Sequence, residues 1–503
     1  MNDSQPHPEP DSGPDTQVFR IGGPVAEHTH RRTKIVATVG PSSRSPKMLE
    51  RLISAGADVF RLNFSHGDEA SHAENIERIR AAGELMGKWV GILGDLPGPK
   101  LRLGEISGGF TTIRSESSLT LTTNGADATS GADGVLPVGW EGLPSAVAEG
   151  DPIYLADGRV RLRAVAIEDE EVHCRVEVGG RVASHQGVNL PGTTSGMPVV
   201  GANDLRWVDF AVDHDVDLLA MSFVRTAADL DPVHERLAER HSSIPLIAKI
   251  EKPQAAENAA EIIEAATSGI MVARGDLGIE LPIESVPATQ KRLISLAGER
   301  SKPVITATQM LASMVSSDRP TRAEVTDVAN AIYDGTDAVM LSEETAIGDN
   351  PVEAVATMDR IARWTERDLP YADWLIHRVD IAGEVSASVA QGAVASTYRL
   401  GLAAIVVPTM SGRTARLVSA LRPEVPILAI SQRRETVRRL NLLFGVRCAY
   451  TERWGELRDL LDDCASIART EGIAKPGQLI AVTAGLPEQE LGTNLFEIHR
   501  VPG

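Results

Sequence analysis

Short apolar runs recur along the chain at residues 35–39, 59–62, 90–93, 218–223, 246–250, 270–273, 304–308 and 338–341. They are apolar nearly throughout rather than alternating, which fits strands buried on both faces of a parallel sheet. Amphipathic stretches lie between most of them, among them 46–56, 227–240, 284–300 and 322–334. Pro46 stands where a helix begins, and Gly56 and Gly335 stand where helices end. Eight strand–helix units predict an α/β chain built on a (β/α)₈ TIM barrel. An open doubly wound sheet has the same elements, and strand count does not separate the two.

The spacing breaks once. More than a hundred residues separate the third run from the fourth, opened by Pro97, Gly98 and Pro99 and closed after 187–192. Inside, the period becomes two: Val172, Cys174, Val176 and Val178 alternate with His173, Arg175 and Glu177. That pattern predicts half-buried antiparallel strands. The expectation is a β-barrel lid, residues 98–187, inserted after strand three and lying over the face where barrel active sites sit. The barrel then comprises 31–97 and 188–368, after a disordered tail at 1–30. A C-terminal α/β regulatory domain, 369–503, has strands at 404–407, 427–430 and 479–483 and helices at 435–444 and 456–469.

Composition narrows the function classes. Lys and Arg total 50 against 69 Asp and Glu, a net charge of −19, which disfavours a general nucleic-acid or membrane-surface binder. The three cysteines, Cys174, Cys448 and Cys464, form no C-x-x-C pair and suit a reducing compartment, so the expected location is cytoplasmic. No apolar run approaches the ~18 residues of a membrane span. The first twenty residues carry four acids and no Lys or Arg before Arg20, unlike a secretory or transit leader. His28 and His30 lack the further ligands that a metal site needs.

What ends each strand is more informative. Strand two ends in Arg61, Asn63 and Ser65, strand three in Asp95, strand four in Ser222 and Arg225, and strand five in Lys249 and Glu251. Strand six ends in Arg274 and Asp276, strand seven in Thr308, and strand eight in Ser342 and Glu343. On a barrel these converge on one rim. Charges flanked by apolar residues are costly to bury unpaired, so such a cluster implies ligands or a metal, with a structural salt-bridge ring as the alternative. Glu251 and Asp276 are oxygen ligands suited to Mg²⁺, which keeps several waters. Lys249 lies two residues before Glu251 and on a strand points the same way. A lysine beside a carboxylate-bound metal is a phosphoryl-transfer arrangement. The turn at 274–278, with Gly275 and Gly278, offers backbone N–H groups to a carboxylate or phosphate.

These residues resemble pyruvate kinase. The resemblance is carried by 33–43 (TKIVATVGPSS), 61–67 (RLNFSHG), 94–102 (GDLPGPKLR), 187–192 (GVNLPG), 248–251 (AKIE), 269–278 (GIMVARGDLG), 307–314 (ATQMLASM) and 319–341 (RPTRAEVTDVANAIYDGTDAVML). It runs from about residue 31 to the C-terminus. It implies Mg²⁺-dependent (or Mn²⁺-dependent) transfer of a phosphoryl group from phosphoenolpyruvate to ADP, giving pyruvate and ATP. It implies that Lys249 stabilises the phosphoryl group in flight, that Glu251 and Asp276 hold the metal, and that Arg61 grips the phosphate. Thr308 would lie on the route that protonates C3, with Gly275 among the substrate contacts. Asn63, His66 and Arg102 would meet the nucleotide, and a homotetramer is expected. Residues 409–414 (TMSGRT), with Thr409, Ser411, Gly412, Arg413 and Thr414, resemble the family's effector loop, so a phosphorylated effector is expected there. A plain helix cap by Ser411 or Thr414 is the alternative.

The chain departs from the family pattern at several places. Asn63, Ser65 and Asp95 match monovalent-cation ligands, yet Lys100 stands where potassium-dependent members usually have glutamate. An ammonium there would substitute for the cation, so K⁺ is not expected to be required and the three ligands would be vestigial. Gln186 replaces a common lysine near the nucleotide phosphates, with Arg181 as a substitute base. Ala156 replaces the first member of an acidic pair that ends in Asp157, and Glu343 replaces a glycine. Two other functions fit part of the pattern. A lyase or aldolase on this kind of barrel would need Glu251 and Asp276 but neither Lys249 nor a lid. A non-catalytic metabolite sensor would be expected to have lost Lys249, Glu251, Asp276 or Thr308, and all four are present.

Overall fold

The computed structural model describes residues 30–99, 101–123, 134–156, 158–191, 198–265, 268–377, 384–452, 457–485 and 492–503. Lys100, Asp157, Gly192 and residues 1–29 of the expected tail lie outside them. Eight parallel strands close into a ring: Lys34–Thr38, Val59–Asn63, Gly91–Leu96, Leu218–Met221, Leu246–Ile250, Gly269–Ala273, Val304–Ala307 and Ala338–Leu341, here strands one to eight. Strand one pairs with both strand two and strand eight, which excludes the open doubly wound sheet.

The apolar runs are near-continuous because both faces are covered. Val36, Val59, Leu93, Ala220, Ile247, Met271, Ile305 and Met340 fill the barrel interior. Their strand neighbours, such as Ile35, Phe60, Ile92, Leu219 and Val272, pack outward against the helices. Helix Pro46–Ala55 starts at its proline and ends at Gly56, whose φ of 119° is a left-handed cap. Helix Arg322–Asp334 is capped by a reciprocal pair, Thr321 and Glu324. The amphipathic stretches at 227–240 and 284–300 each split into a short 3₁₀ turn and a helix, Asp231–Glu239 and Val286–Glu299. Pro232 and Pro287 fall in the first turn of these helices, where a missing N–H costs nothing.

The lid leaves strand three through Gly98, whose φ is 63° and where a Cβ would approach the Phe223 ring to 2.7 Å. Its strands form a six-stranded sheet, ordered 188–189, 152–155, 160–168, 171–178, 118–122, 135–137, and a two-stranded ribbon of Phe110–Ile113 with Gly180–Ala183. Both sheets share one core, which includes Ile113, Leu121, Leu155, Leu162, Val172, Cys174, Val176 and Val182. Val178, expected inward, is 42% exposed at the strand's end. The pair Ser118–Thr122 with Val135–Pro137 is parallel rather than antiparallel.

The C-terminal sheet has the order 446–450, 427–431, 405–408, 479–484, 495–500, with only the last strand antiparallel. Two of its strands were not anticipated. Val446–Tyr450 and Leu495–Arg500 carry Arg447, Glu497 and His499 among their apolar residues, so neither forms an apolar run. The expected helix at 435–444 is shorter, Arg434–Arg439 followed by a 3₁₀ turn, Leu440–Leu442. Leu442 from that turn joins the interior cluster of the barrel.

Buried ion pairs fix this domain to the N-terminal ends of the barrel strands. Asp337, just before strand eight, accepts two bonds from Arg422, both 2.7 Å, and others from the backbone N–H of Val304 and Phe444. Asp217, just before strand four, accepts from Arg80, Arg438 and the N–H of Ile92. Lys34 donates across the same seam to the carbonyl of Val446 at 2.6 Å.

Candidate functional site

The tips of strands two to seven bring most of the sequence-selected residues to one rim. Asn63 and Asp95 are in register on neighbouring strands. Arg61 donates to Asp95 Oδ2 from Nε at 2.7 Å and Nη2 at 2.6 Å, and reaches Thr38 Oγ1 at 3.3 Å. On the other side, Lys249 Nζ lies 3.4 Å from Asp95 Oδ1 and 3.4 Å from Glu251 Oε2, and donates to Ser222 Oγ at 2.7 Å. Two cations and two carboxylates therefore alternate as Arg61, Asp95, Lys249 and Glu251. Lys249 and Glu251 share this face because they are two apart on one strand.

Electrostatics follow from that order. Burial works against the Lys249 ammonium, but Asp95, Glu251 and Asp276 together outweigh it and hold the lysine above its ordinary value. Burial opposes ionisation of Asp95 too, yet Lys249 and Arg61 keep it below the usual carboxylate range. Glu251 goes the other way: burial, aided by Asp276, outweighs Lys249 and pushes it up to about 7. Its Oε1 accepts from the N–H of Phe223 at 2.6 Å, while its buried Oε2 has no hydrogen-bond partner. A buried carboxylate oxygen without a donor, raised further by the like charge of Asp276, fits a hard cation. Among the described residues no group of three or more His, Cys, Asp or Glu forms a closed metal cage.

The opposite wall is built on strained backbone. Thr308 and Gln309, immediately after strand seven, have φ of 67° and 54°, costly for a β-branched residue. Arg274 holds them there, donating to the carbonyls of Ala307 at 3.2 Å and Thr308 at 2.8 Å while its Nη1 reaches Asp327 at 2.7 Å. The N–H of Gly275 donates to Thr308 Oγ1 at 2.7 Å. Strand six ends at Ala273, and helix Arg274–Glu280 carries Asp276 in its first turn. Arg274 is therefore a brace for the Thr308 turn. Arg225 is likewise engaged locally, with Asp229 at 3.3 Å.

Several residues lie away from this cluster. His66 is exposed, and its carbonyl accepts from the ring of His72. Ser65 donates its N–H to Asn63 Oδ1 at 3.2 Å. Arg102 sits where the lid strands meet, bridged to Gly187 and donating to the carbonyl of His185 at 3.0 Å. Gln186 accepts from the N–H of Ala183, and Arg181 stacks on Phe110 at 3.8 Å. Lys100, the expected cation substitute, falls outside the described residues. Glu343 is exposed; the neighbouring Glu344 is the buried one, accepting from the N–H of Ser342 at 2.7 Å and Leu311 at 3.1 Å.

Sequence reasoning missed Glu344, Arg274's bracing role and the pair Lys252–Glu280. In that pair Nζ and Oε1 are 2.5 Å apart, and it ties the residue after Glu251 to the helix that carries Asp276. A lysine directly following the Ala-Lys-Ile-Glu segment was the available signal.

In the C-terminal sheet the loop 409–414 follows the central strand, Ile405–Pro408. Strand order reverses beside it, where doubly wound sheets bind ligands. Thr409 Oγ1 accepts from the N–H of Gly412 at 3.0 Å, and Thr414 bonds Thr493 from the loop before the edge strand. The N-cap of the following helix, Arg413–Ala420, is Gly412, and Ser411 Oγ accepts from the N–H of Arg413 at 3.5 Å. Arg413 pairs with Glu384.

Comparison with known proteins bears on most of the chain. Residues 30–355 match the family model described as pyruvate kinase, barrel domain, and 387–499 match pyruvate kinase, alpha/beta domain. A pyruvate kinase of Thermococcus litoralis is 41% identical over 479 residues, covering 94% of this chain and 99% of the relative. One from Mycobacterium intracellulare is 41% identical over 476 residues, with 94% and 98% covered. The crystal structure of a pyruvate kinase from Cryptosporidium parvum superimposes with a TM-score of 0.88 at 35% identity, covering 94% of this chain and 97% of that one.

Proposed function

The chain belongs to the pyruvate kinase family, and we propose that the tips of strands two, five, six and seven carry its chemistry. It is a phosphotransferase: the phosphoryl group of phosphoenolpyruvate passes to ADP, giving pyruvate and ATP in the last step of glycolysis. A β-phosphate oxygen of ADP attacks phosphorus, the bond from phosphorus to the enol oxygen breaks, and the enolate left behind takes a proton at C3. No protein nucleophile is required.

Arg61 and Lys249 are the cations placed to grip the phosphate and to neutralise the equatorial oxygens as the group moves. Asp95 sits between them and keeps both side chains oriented. Glu251 and Asp276 are the residues that would hold Mg²⁺ or Mn²⁺. Bound there, the ion supplies a positive centre for charge developing on the enol oxygen. Thr308, with its hydroxyl fixed by the Gly275 N–H, is positioned on the proton route to C3. The observation that carries this assignment is the buried, donor-free Oε2 of Glu251 beside the Lys249 ammonium.

Asn63, His66 and Arg102 are assigned to ADP. The loop containing Thr409, Ser411, Gly412, Arg413 and Thr414 is assigned to a phosphorylated effector, supported by its place at the reversal of strand order. K⁺ is not required in this reading: Lys100 supplies a positive charge where potassium-dependent members usually have glutamate. Asn63, Ser65 and Asp95 are then a vestigial cation site. The protein is proposed to be a cytoplasmic homotetramer that engages neither nucleic acid nor membrane; among the described residues no helix is long and apolar enough to cross a bilayer.

The test is pyruvate formation from phosphoenolpyruvate, ADP and Mg²⁺, with and without K⁺. Full turnover without K⁺ is expected, and a large rise on adding KCl overturns the potassium assignment. Lys249→Met is expected to abolish phosphoryl transfer while leaving proton exchange at the methyl group of pyruvate. Near-full turnover in that variant overturns the role of Lys249.

A further inference from the structure

Helix Glu69–Leu85 buries His72, Ile76 and Ile79 on one stripe, so a histidine stands where the spacing calls for an apolar residue. His72 is 6% exposed and sits in a nest of rings. It meets Phe64 at 5.1 Å and Trp207 at 5.3 Å, both edge-on, while Phe64 and Trp207 stack flat on each other at 4.4 Å. Its Nε2 lies 2.8 Å from the carbonyl oxygen of His66. A carbonyl only accepts, so Nε2 carries the hydrogen and donates. Burial holds the imidazolium below its ordinary range, against the pull of that bond and of Asp68, and the ring stays neutral. Nδ1 is then a bare acceptor, buried and without a hydrogen-bond partner. A half-satisfied buried imidazole is a cost that leucine in the same nest would not carry. What the ring adds is one bond, to His66.

That bond falls where the loop has little else to hold it. Residues 66–70 are all exposed. On one side the loop folds onto Asn63, whose carbonyl accepts from the N–H of His66 at 3.2 Å and whose Oδ1 accepts from the N–H of Ser65 at 3.2 Å. On the other side Gly67 turns with φ of 81°, and a Cβ there would come 3.3 Å from His72 Nε2.

We propose that His72 is a positioning residue for ADP: through the carbonyl of His66 it fixes the turn that presents Asn63 and the His66 ring to the nucleotide. This rests on the reading that those two side chains meet ADP. His72 acts only through His66. The same nest also supports the lid. Trp207 belongs to helix Ala202–Asp213, whose buried Asp204 accepts from the N–H of Gly98 at 2.8 Å, where the lid leaves the barrel. Loop and hinge therefore lean on one cluster of rings.

Two amides of like polarity separate the bond from the packing. In His72→Gln the amide N–H reaches the place of the imidazole Nε2; in His72→Asn the side chain is one carbon shorter and falls short. Initial rates of the full-length protein, with each substrate varied in turn, are the measurement. His72→Asn is expected to raise KM for ADP by about 5-fold and to move KM for phosphoenolpyruvate by less than about 2-fold, the loss of one hydrogen bond felt on the nucleotide side alone. His72→Gln is expected to restore KM for ADP to within about 2-fold of the parent. His72→Leu, which fills the nest without a donor, is expected to match His72→Asn and serves if that variant does not fold. A role in packing alone would lower the active fraction and leave both KM values in place. Equal rises in His72→Asn and His72→Gln, or a rise for phosphoenolpyruvate as large as that for ADP, overturn the proposal. His66→Ala tests the reading beneath it. An unchanged KM for ADP in that variant overturns the assignment of His66 to ADP, whereas a raised value there with an unchanged one in His72→Asn and His72→Leu overturns the role of His72 alone.

Discussion

The two ends of the barrel carry the same kinds of side chain and use them differently. At the N-terminal ends, Asp217 and Asp337 are nearly fully buried, and each accepts at least three bonds, from arginines and from backbone N–H groups. At the C-terminal ends Asp95 is paired as completely, but Glu251, equally buried, keeps an oxygen without a donor. A saturated buried carboxylate stabilises its surroundings. An unsaturated one is a standing cost that a ligand relieves. The difference lies in satisfaction rather than in charge, and it separates the end that joins domains from the end proposed to do chemistry.

The largest expected effect breaks the working end. Lys249→Met should lower kcat by on the order of 10³-fold, read by initial rates, since one cation aimed at the transferring group is lost. Asp337→Ala attacks the saturated end and should destabilise by about 3–5 kcal/mol in urea unfolding, because it strands the buried Arg422. Its kcat at a temperature well below unfolding should stay near the parent value. Glu251→Gln should do the reverse, leaving stability unchanged or raised by about 1 kcal/mol while abolishing calorimetric Mg²⁺ binding. A destabilised Glu251→Gln would remove the contrast between the two ends. Glu280→Gln, which cuts the tie from Lys252 to the helix carrying Asp276, should weaken Mg²⁺ affinity by about 10-fold with Arg61 and Lys249 intact.

The smallest effect is in pH. Asp95 is held below its ordinary value, so its contribution to stability is full above the unfolded carboxylate range and disappears only as pH falls through the lower folded value. The gap in stability between the parent and Asp95→Asn should therefore be flat at neutral pH and close only in acid. A gap that closes near pH 7 would contradict the pairing with Arg61 and Lys249.

The barrel was legible because each strand is buried on both faces and so is written as an unbroken apolar run. The rim was legible because strand tips interrupt those runs with charge, as at Lys249 and Glu251. Val446–Tyr450 and Leu495–Arg500 were not, since strands with partly exposed residues mix polar and apolar positions. Closure itself could not be read from strand count; it needed the pairing of the first strand with the eighth. Asp276 and Thr308 follow strands six and seven where the sequence put them, but Arg274, which looks like a free rim charge in the sequence, braces the Thr308 turn. Nothing in its neighbours reveals that its guanidinium turns back onto the carbonyls of Ala307 and Thr308. The aspartates before strands two, four and eight, Asp58, Asp217 and Asp337, are a recurring signal that went unused; each accepts a backbone N–H bond from a neighbouring strand.

Glu251 and Asp276 would together hold the cation, within reach of the same substrate that Lys249 grips. Crystals grown with Mg²⁺ and oxalate, a planar dianion shaped like the enolate of pyruvate, measure it directly. The expected result is a metal about 2.1 Å from an oxygen each of Glu251 and Asp276, sharing an oxalate oxygen with Lys249 Nζ. A metal bound elsewhere, or Lys249 out of reach of that oxygen, would contradict it.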